Sequence, residues 1–322
     1  METVIPEART SKRSLTLSYR PPFSSGPLLA FLHDRAIPGV EEVRGATYRR
    51  SLSTSEGPAV IALTPMPDDQ VRLETTLEDA RALPATVRAA RSLFDLDADP
   101  RPVARTLGRD ALLRPLVRAN AGIRVPGAAD GFELAVRAIL GQQVSVAAAR
   151  TMLGRVGAAF GEPISHAEGG VVRRFPGAER LADARLEELG ITGRRASAIR
   201  GVATLVAGGA LDLTAGGDHD DAIGRLLQID GIGPWTAAYV RMRALRDPDA
   251  FVSGDLGVRR AFERLGLDAS PASVAGRAES WRPWRAYATM LLWQHEAGGG
   301  PAGAGPPRER SSPTSPRTSR TR

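Results

Sequence analysis

Leu226-Leu227-Gln228-Ile229-Asp230-Gly231-Ile232-Gly233-Pro234-Trp235-Thr236-Ala237-Ala238-Tyr239 joins two apolar helical segments through a turn pinned by glycine. Gly231 and Gly233 permit positive φ or a close approach of another backbone, and Ile232 between them anchors the turn in a core. The next helix is expected to start at Pro234, where a missing N–H costs no hydrogen bond. Its free backbone amides and positive end suit a phosphate, without reading base sequence. Gly231, Ile232, Gly233 and Thr236 are therefore the expected backbone-contacting set, although an ordinary helix-turn-helix corner also often contains glycine.

About twenty residues on lies Val252-Ser253-Gly254-Asp255-Leu256-Gly257-Val258-Arg259-Arg260. Asp255 opens an amphipathic helix, where a carboxylate ordinarily serves as a cap. The same place keeps an aspartate ionised, and an ionised carboxylate beside a sugar stabilises an oxocarbenium-like transition state. Aromatic residues make up only 5% of the chain, yet all four tryptophans fall in this half. Trp235 and Tyr239 are four apart and share a helix face. Core packing is the ordinary explanation for such residues and is preferred for Trp293. For Trp235 and Trp284 the alternative is a stacking pocket whose ring faces favour a cationic, alkylated base.

Composition narrows the chemistry. The chain has 322 residues, 42% hydrophobic and 25% charged, as in an ordinary globular protein. Zero cysteines exclude disulfides, thiolate metal sites, cysteine-ligated iron-sulfur clusters and a cysteine nucleophile. His33, His166, His219 and His295 show no ligand spacing. No apolar run approaches the roughly 20 residues that cross a bilayer, and the first residues lack the order of a signal peptide, so a cytoplasmic location is expected. The net charge is +7, of which +4 comes from five arginines and one glutamate after residue 307. Any anionic partner must therefore meet a local patch or backbone groups in the remainder. Lys12 is the single lysine, which removes Schiff-base chemistry from everything after it.

Residues 1–13 and 298–322 are rich in Pro, Gly, Ser, Thr and Arg and are expected to be disordered. Residues 14–97 read as a small α+β domain. Strands are expected near 15–19, 42–53, 59–64 and 70–76, with helices over 28–36 and 77–94. From 98 to 297 the strand signal nearly vanishes. Helices are expected at 110–120, 131–140, 144–160, 179–189, 193–208, 221–229, 236–245, 256–265 and 284–296. The stretch 167–170 reads as a plain surface loop. The fold class is thus α+β, an antiparallel sheet domain with two helices followed by a mostly α-helical region.

The hairpin plus Asp255 resembles the helix-hairpin-helix DNA glycosylase superfamily, and within it the bacterial 3-methyladenine DNA glycosylase II branch. The likeness spans roughly 15–296. It includes Tyr19-Arg20-Pro21-Pro22-Phe23, Ser92-Leu93-Phe94-Asp95-Leu96, Val136-Arg137-Ala138-Ile139-Leu140-Gly141-Gln142-Gln143-Val144-Ser145 and Trp281-Arg282-Pro283-Trp284-Arg285-Ala286-Tyr287-Ala288. Several motifs in order are more specific than one.

The resemblance implies a monofunctional glycosylase that releases alkylated purines such as 3-methyladenine and 7-methylguanine from double-stranded DNA, acting as a monomer without a required cofactor. Asp255 would be catalytic. Trp235, Tyr239 and Trp284, with Phe31, would line the pocket for a flipped base. Gln143 would wedge into the vacated stack, where the family's pattern has leucine. The backbone carbonyls of Leu227, Ile229 and Ile232 would hold a monovalent cation. Strand-cutting relatives carry lysine where this hairpin has Trp235, so hydrolysis by water is implied. The alternatives are a glycosylase of the same fold for deaminated or oxidised bases, and a noncatalytic DNA-binding protein that keeps the hairpin.

Overall fold

The computed structural model describes residues 10–298. The expected disorder of 1–9 and 299–322, including the arginine-rich end, lies outside them. Residues 11–13, expected in the disordered segment, instead form a strand: β1 (Ser11–Ser18) pairs antiparallel with β5 (Gln70–Leu77), Ser11 opposite Leu77. Between them run α1 (Ser25–Arg35), β2 (Glu41–Arg44), β3 (Thr47–Thr54) and β4 (Gly57–Met66), and the all-antiparallel order is β1-β5-β4-β3-β2. The single strand expected over 42–53 is two strands, because Gly45 at φ 58° turns the chain back on itself. β4 carries an unbroken buried run from Ala59 to Leu63, as a central strand covered by other elements must. The helix expected from residue 77 begins later: β5 extends to Leu77, a short turn capped by Asp79 follows, and α2 covers Leu83–Leu93.

The rest is mainly helical. α3 (Pro100–Leu107) and α4 (Leu113–Ala119) lead to α5 (Gly131–Leu140) and α6 (Val146–Phe160). β6 (Glu162–Glu168) and β7 (Val171–Arg174) form a two-stranded hairpin that the sequence reading missed. Residues 167–170, expected to be a plain loop, are its turn, with Gly169 at φ 61°. The hairpin lies against the first sheet, where Ser51 Oγ donates to the Arg173 carbonyl at 2.8 Å and Thr76 Oγ1 to Glu168 Oε1 at 2.7 Å. Its strands are short and mostly exposed, so they carry no long apolar alternation to read.

α7 (Ala178–Leu181) is one turn where a longer helix was expected, and the remainder of that stretch is a separate turn over Leu186–Leu189. Then come α8 (Gly193–Ala207), α9 (His219–Leu227), α10 (Pro234–Arg243), α11 (Leu256–Arg264), α12 (Pro271–Ala278) and α13 (Arg285–Gly298). α3 and α12 were not expected. Each is eight residues long and starts with a proline just after a capping side chain, Asp99 or Ser270.

One continuous apolar core runs through both parts, from Leu63 and Leu73 in the sheet to Leu140, Val240 and Leu291 in the helices. A buried charge cluster crosses the junction. Arg50 on β3 meets Glu133 on α5 at 2.6 Å, and Arg137 on α5 bridges Glu133 at 2.6 Å and also Glu41. Burial would raise the Glu133 carboxyl, but Arg50 and Arg137 outweigh it and hold the acid well below its usual range. Such pairs contribute little net stability but are costly to break singly, so they tie α5 to the sheet in one arrangement.

Candidate active site

α9 ends at Leu227 and α10 begins after the N-cap Gly233. Gly231 takes φ 93°, and a Cβ there would meet Ala198 Cβ at 3.2 Å, so this glycine is required twice over. Gly233 has ordinary φ −104° and open space around it, which lets another backbone approach. Ile232 is buried, as its anchoring role demands. α10 has no side-chain cap, unlike α9 and α11, so its first amides keep unused donors. Thr236 is buried and does not offer its hydroxyl to solvent. Its Oγ1 accepts from Gln142 Nε2 at 2.8 Å, and the same amide donates to the Gly231 carbonyl at 2.9 Å. Arg195 on α8 in turn donates to the Gln142 carbonyl. Gln142, which the sequence reading passed over, thus fastens the 141–145 turn to the hairpin. Beside it, exposed Gln143 holds φ 53°, a left-handed conformation that a non-glycine residue adopts only under constraint.

Asp255 is the N-cap of α11, and its Oδ1 accepts from Val258 N at 2.9 Å. Two indoles complete its surroundings: Trp235 Nε1 donates to Oδ2 at 2.9 Å and Trp293 Nε1 to Oδ1 at 2.7 Å. The carboxylate is half-buried, and no arginine pairs with it among the described residues. Trp235 stacks on Tyr239 at 5.4 Å and 16°, one helical turn along α10. Phe31 from α1 stacks on Trp293 at 6.0 Å and 14°, and Tyr239 lies 6.2 Å from Trp293. Burial would raise the Tyr239 hydroxyl, but Arg243 and Arg35 reverse the sign and lower it.

Trp293, expected in the core, is therefore the second indole at Asp255, and Trp284, expected in the pocket, is not. Trp284 precedes α13 and meets Tyr287 edge-on at 5.8 Å. Nine residues separate the two tryptophans, roughly 13 Å of helical rise, so both cannot serve one site. Gly257 was also missed. A Cβ there would sit 3.0 Å from Trp293 Cδ1 and 3.1 Å from Asp255 Oδ1, inside the indole-carboxylate contact. Leu227 is exposed at the end of α9, and the Ile229 carbonyl accepts from Ile232 N at 3.0 Å.

A glycine-turned hairpin with unused amides, beside an aspartate held among aromatic rings, defines a helix-hairpin-helix protein of base-excision type. Two family models agree: the AlkA N-terminal domain matches residues 14–130, and the HhH-GPD superfamily base excision DNA repair protein matches 136–286. The chain is 36% identical over 289 residues to DNA-3-methyladenine glycosylase 2 of Escherichia coli, covering 87% of this chain and 97% of that protein, and it belongs to this AlkA-type glycosylase family. It is 42% identical over 280 residues to a probable bifunctional transcriptional activator/DNA repair enzyme AlkA of Mycobacterium tuberculosis. That match covers 87% of this chain and spans 56%, about half, of the relative. The 3-methyladenine DNA-glycosylase structure from Archaeoglobus fulgidus has the same fold, with TM-score 0.76, 22% identity, and coverage of 88% of this chain and 98% of that one.

Proposed function

We propose that the protein is a monofunctional DNA glycosylase, hydrolysing the N-glycosidic bond of alkylated purines such as 3-methyladenine and 7-methylguanine in double-stranded DNA to begin base-excision repair. The observation that carries this reading is Asp255: three N–H donors orient its carboxylate, two of them from rings that flank it, yet no cation neutralises it. A DNA-binding protein without catalysis requires no such group.

In this reading the unused amides of α10 grip a phosphate, and Gln143 fills the gap left by the everted nucleotide. The base enters among Trp235, Tyr239, Phe31 and Trp293, whose ring faces favour a cation. As the bond from the anomeric carbon to the base breaks, positive charge grows on the sugar and Asp255 stabilises it. Water adds to the anomeric carbon. An alkylated purine is already cationic and leaves as a neutral base, so no general acid is needed. Lys12, the single lysine, sits on β1 facing Glu168 at 3.6 Å, which agrees with hydrolysis rather than a Schiff base.

The carbonyls of Leu227, Ile229 and Ile232 lie at the negative end of α9 and fit a monovalent cation, which would add positive charge where the phosphate docks. No metal-binding group of His, Cys, Asp or Glu occurs among the described residues, nor any helix long and apolar enough to cross a membrane. The reading includes a monomer in the cytoplasm, where its substrate is.

Incubation with methylated DNA tests it. Wild-type protein is expected to release 3-methyladenine without nicking the strand, and Asp255→Asn to release almost none while still binding DNA. Equal release by both would assign the chemistry elsewhere.

A further inference from the structure

Behind the rings around Asp255 stand two arginines with different hydrogen-bonding fates. Phe31 and Arg35 are four apart on α1, and Tyr239 and Arg243 four apart on α10, so each helix presents a ring and a guanidinium on one face. The two faces meet. Arg243 Cζ lies 4.9 Å from the Phe31 centroid and 5.6 Å from that of Tyr239, and Arg35 Cζ lies 3.9 Å from Phe31.

Arg243 is buried and fully engaged. It donates to the Pro126 carbonyl at 2.7 Å, the Tyr239 hydroxyl at 2.8 Å and the Gly127 carbonyl at 3.0 Å. Arg35 makes one long side-chain bond, Nη1 to the Phe31 carbonyl at 3.4 Å, and no carboxylate pairs with it among the described residues. Its other nitrogens lack partners without being sealed off, and a cavity of about 340 Å³ opens beside it, lined also by Phe31, Asp130 and Arg243. Burial lowers the affinity of Arg35 for its proton while Tyr239 and Asp255 oppose that shift, so the guanidinium stands within electrostatic reach of both. A half-buried cation with unused donors, laid against a pocket ring, has no structural need for that position.

We propose that Arg35 is a specificity-determining residue whose free N–H groups donate to an acceptor on the edge of an everted neutral purine, so that the site handles uncharged lesions as well as cationic ones. This rests on the glycosylase reading above. When a neutral purine departs, the electron pair of the broken C1′–N9 bond goes to the base, water oxygen joins C1′, and a water proton ends on the base. Negative charge develops on the purine during that step, and a charged donor on its O6 or N7 strengthens as it does so. A 7-methylated guanine carries positive charge and has N7 blocked, so the same guanidinium repels it.

The test is single-turnover excision from duplexes holding one hypoxanthine or one 7-methylguanine, using wild type, Arg35→Met and Arg35→Lys. With the charged hydrogen bond removed, Arg35→Met is expected to slow hypoxanthine release at least ~10-fold while 7-methylguanine release stays level or rises. Arg35→Lys should recover part of the hypoxanthine rate. Equal losses on both substrates, no change on either, or a wild type that excises 7-methylguanine but never hypoxanthine would overturn the role of Arg35. Arg35→Gln replaces the methionine variant if thermal melting shows that variant unfolded. Wild type that releases neither base would instead refute the glycosylase reading itself.

Discussion

Two aspartates in this molecule each take an indole N–H and a backbone N–H, and their difference separates structure from chemistry. Asp110 accepts from Trp281 Nε1 at 2.8 Å and Leu112 N at 2.7 Å, and Arg277 pairs with it at 2.9 Å. Trp281 is fully buried, packed edge-on by Phe251 at 5.8 Å. Asp255 takes a second indole where Asp110 takes an arginine, and both of its indoles are half-exposed. The charge of Asp110 is answered inside the protein and its aromatic partner has no free face. The charge of Asp255 is oriented but left to act on something that arrives, among rings that can receive it.

The contrast can be broken by mutation. Trp281→Ala should cost about 3–5 kcal/mol of stability, read by denaturant unfolding, with excision per folded molecule unchanged. Asp255→Asn should show the opposite pattern, with release slowed on the order of 10²–10³-fold and unfolding little altered. If Asp110→Asn slowed release as much in a folded protein, the distinction would be lost.

Smaller effects sharpen it. Gly257→Ala should shift Trp293 off Asp255 by a few tenths of an ångström and slow excision about 10-fold, since placement errors below 1 Å already affect rate. The same change at Gly276, with nothing within 4 Å, should be silent. The smallest effect is in pH. Burial would raise the Asp110 carboxyl, but the Trp281 and Arg277 bonds outweigh it and hold it low. Its stability is therefore present above the unfolded aspartate value near 3.8 and is lost as pH falls through the lower folded value. Acid unfolding of Asp110→Asn should be shallower than that of wild type across that window, and identical slopes would show the bond to be electrostatically idle.

Much of this was legible in the chain. Gly231-Ile232-Gly233-Pro234 specifies a turn and a helix start through backbone sterics alone, and the 20-residue interval to Asp255 follows from one helix and a return loop. Local signals missed α3 and α12, whose eight residues give little periodicity, and the β6–β7 hairpin, whose strands are stabilised by docking on β3 and β4. Trp293 and Trp284 could not be ranked, because each sits in an apolar, aromatic run at one end of the same helix.

Local residue chemistry determined the hairpin, the capping carboxylate, the absence of thiol and lysine chemistry, and the antiparallel sheet, since each depends on neighbours within a few positions. Which tryptophan reaches Asp255, that Gln142 ties two turns together, and that Arg35 meets Phe31 without a carboxylate depend on where distant helices cross. Those contacts are decided by packing the whole core, and no spacing within a single segment encodes them.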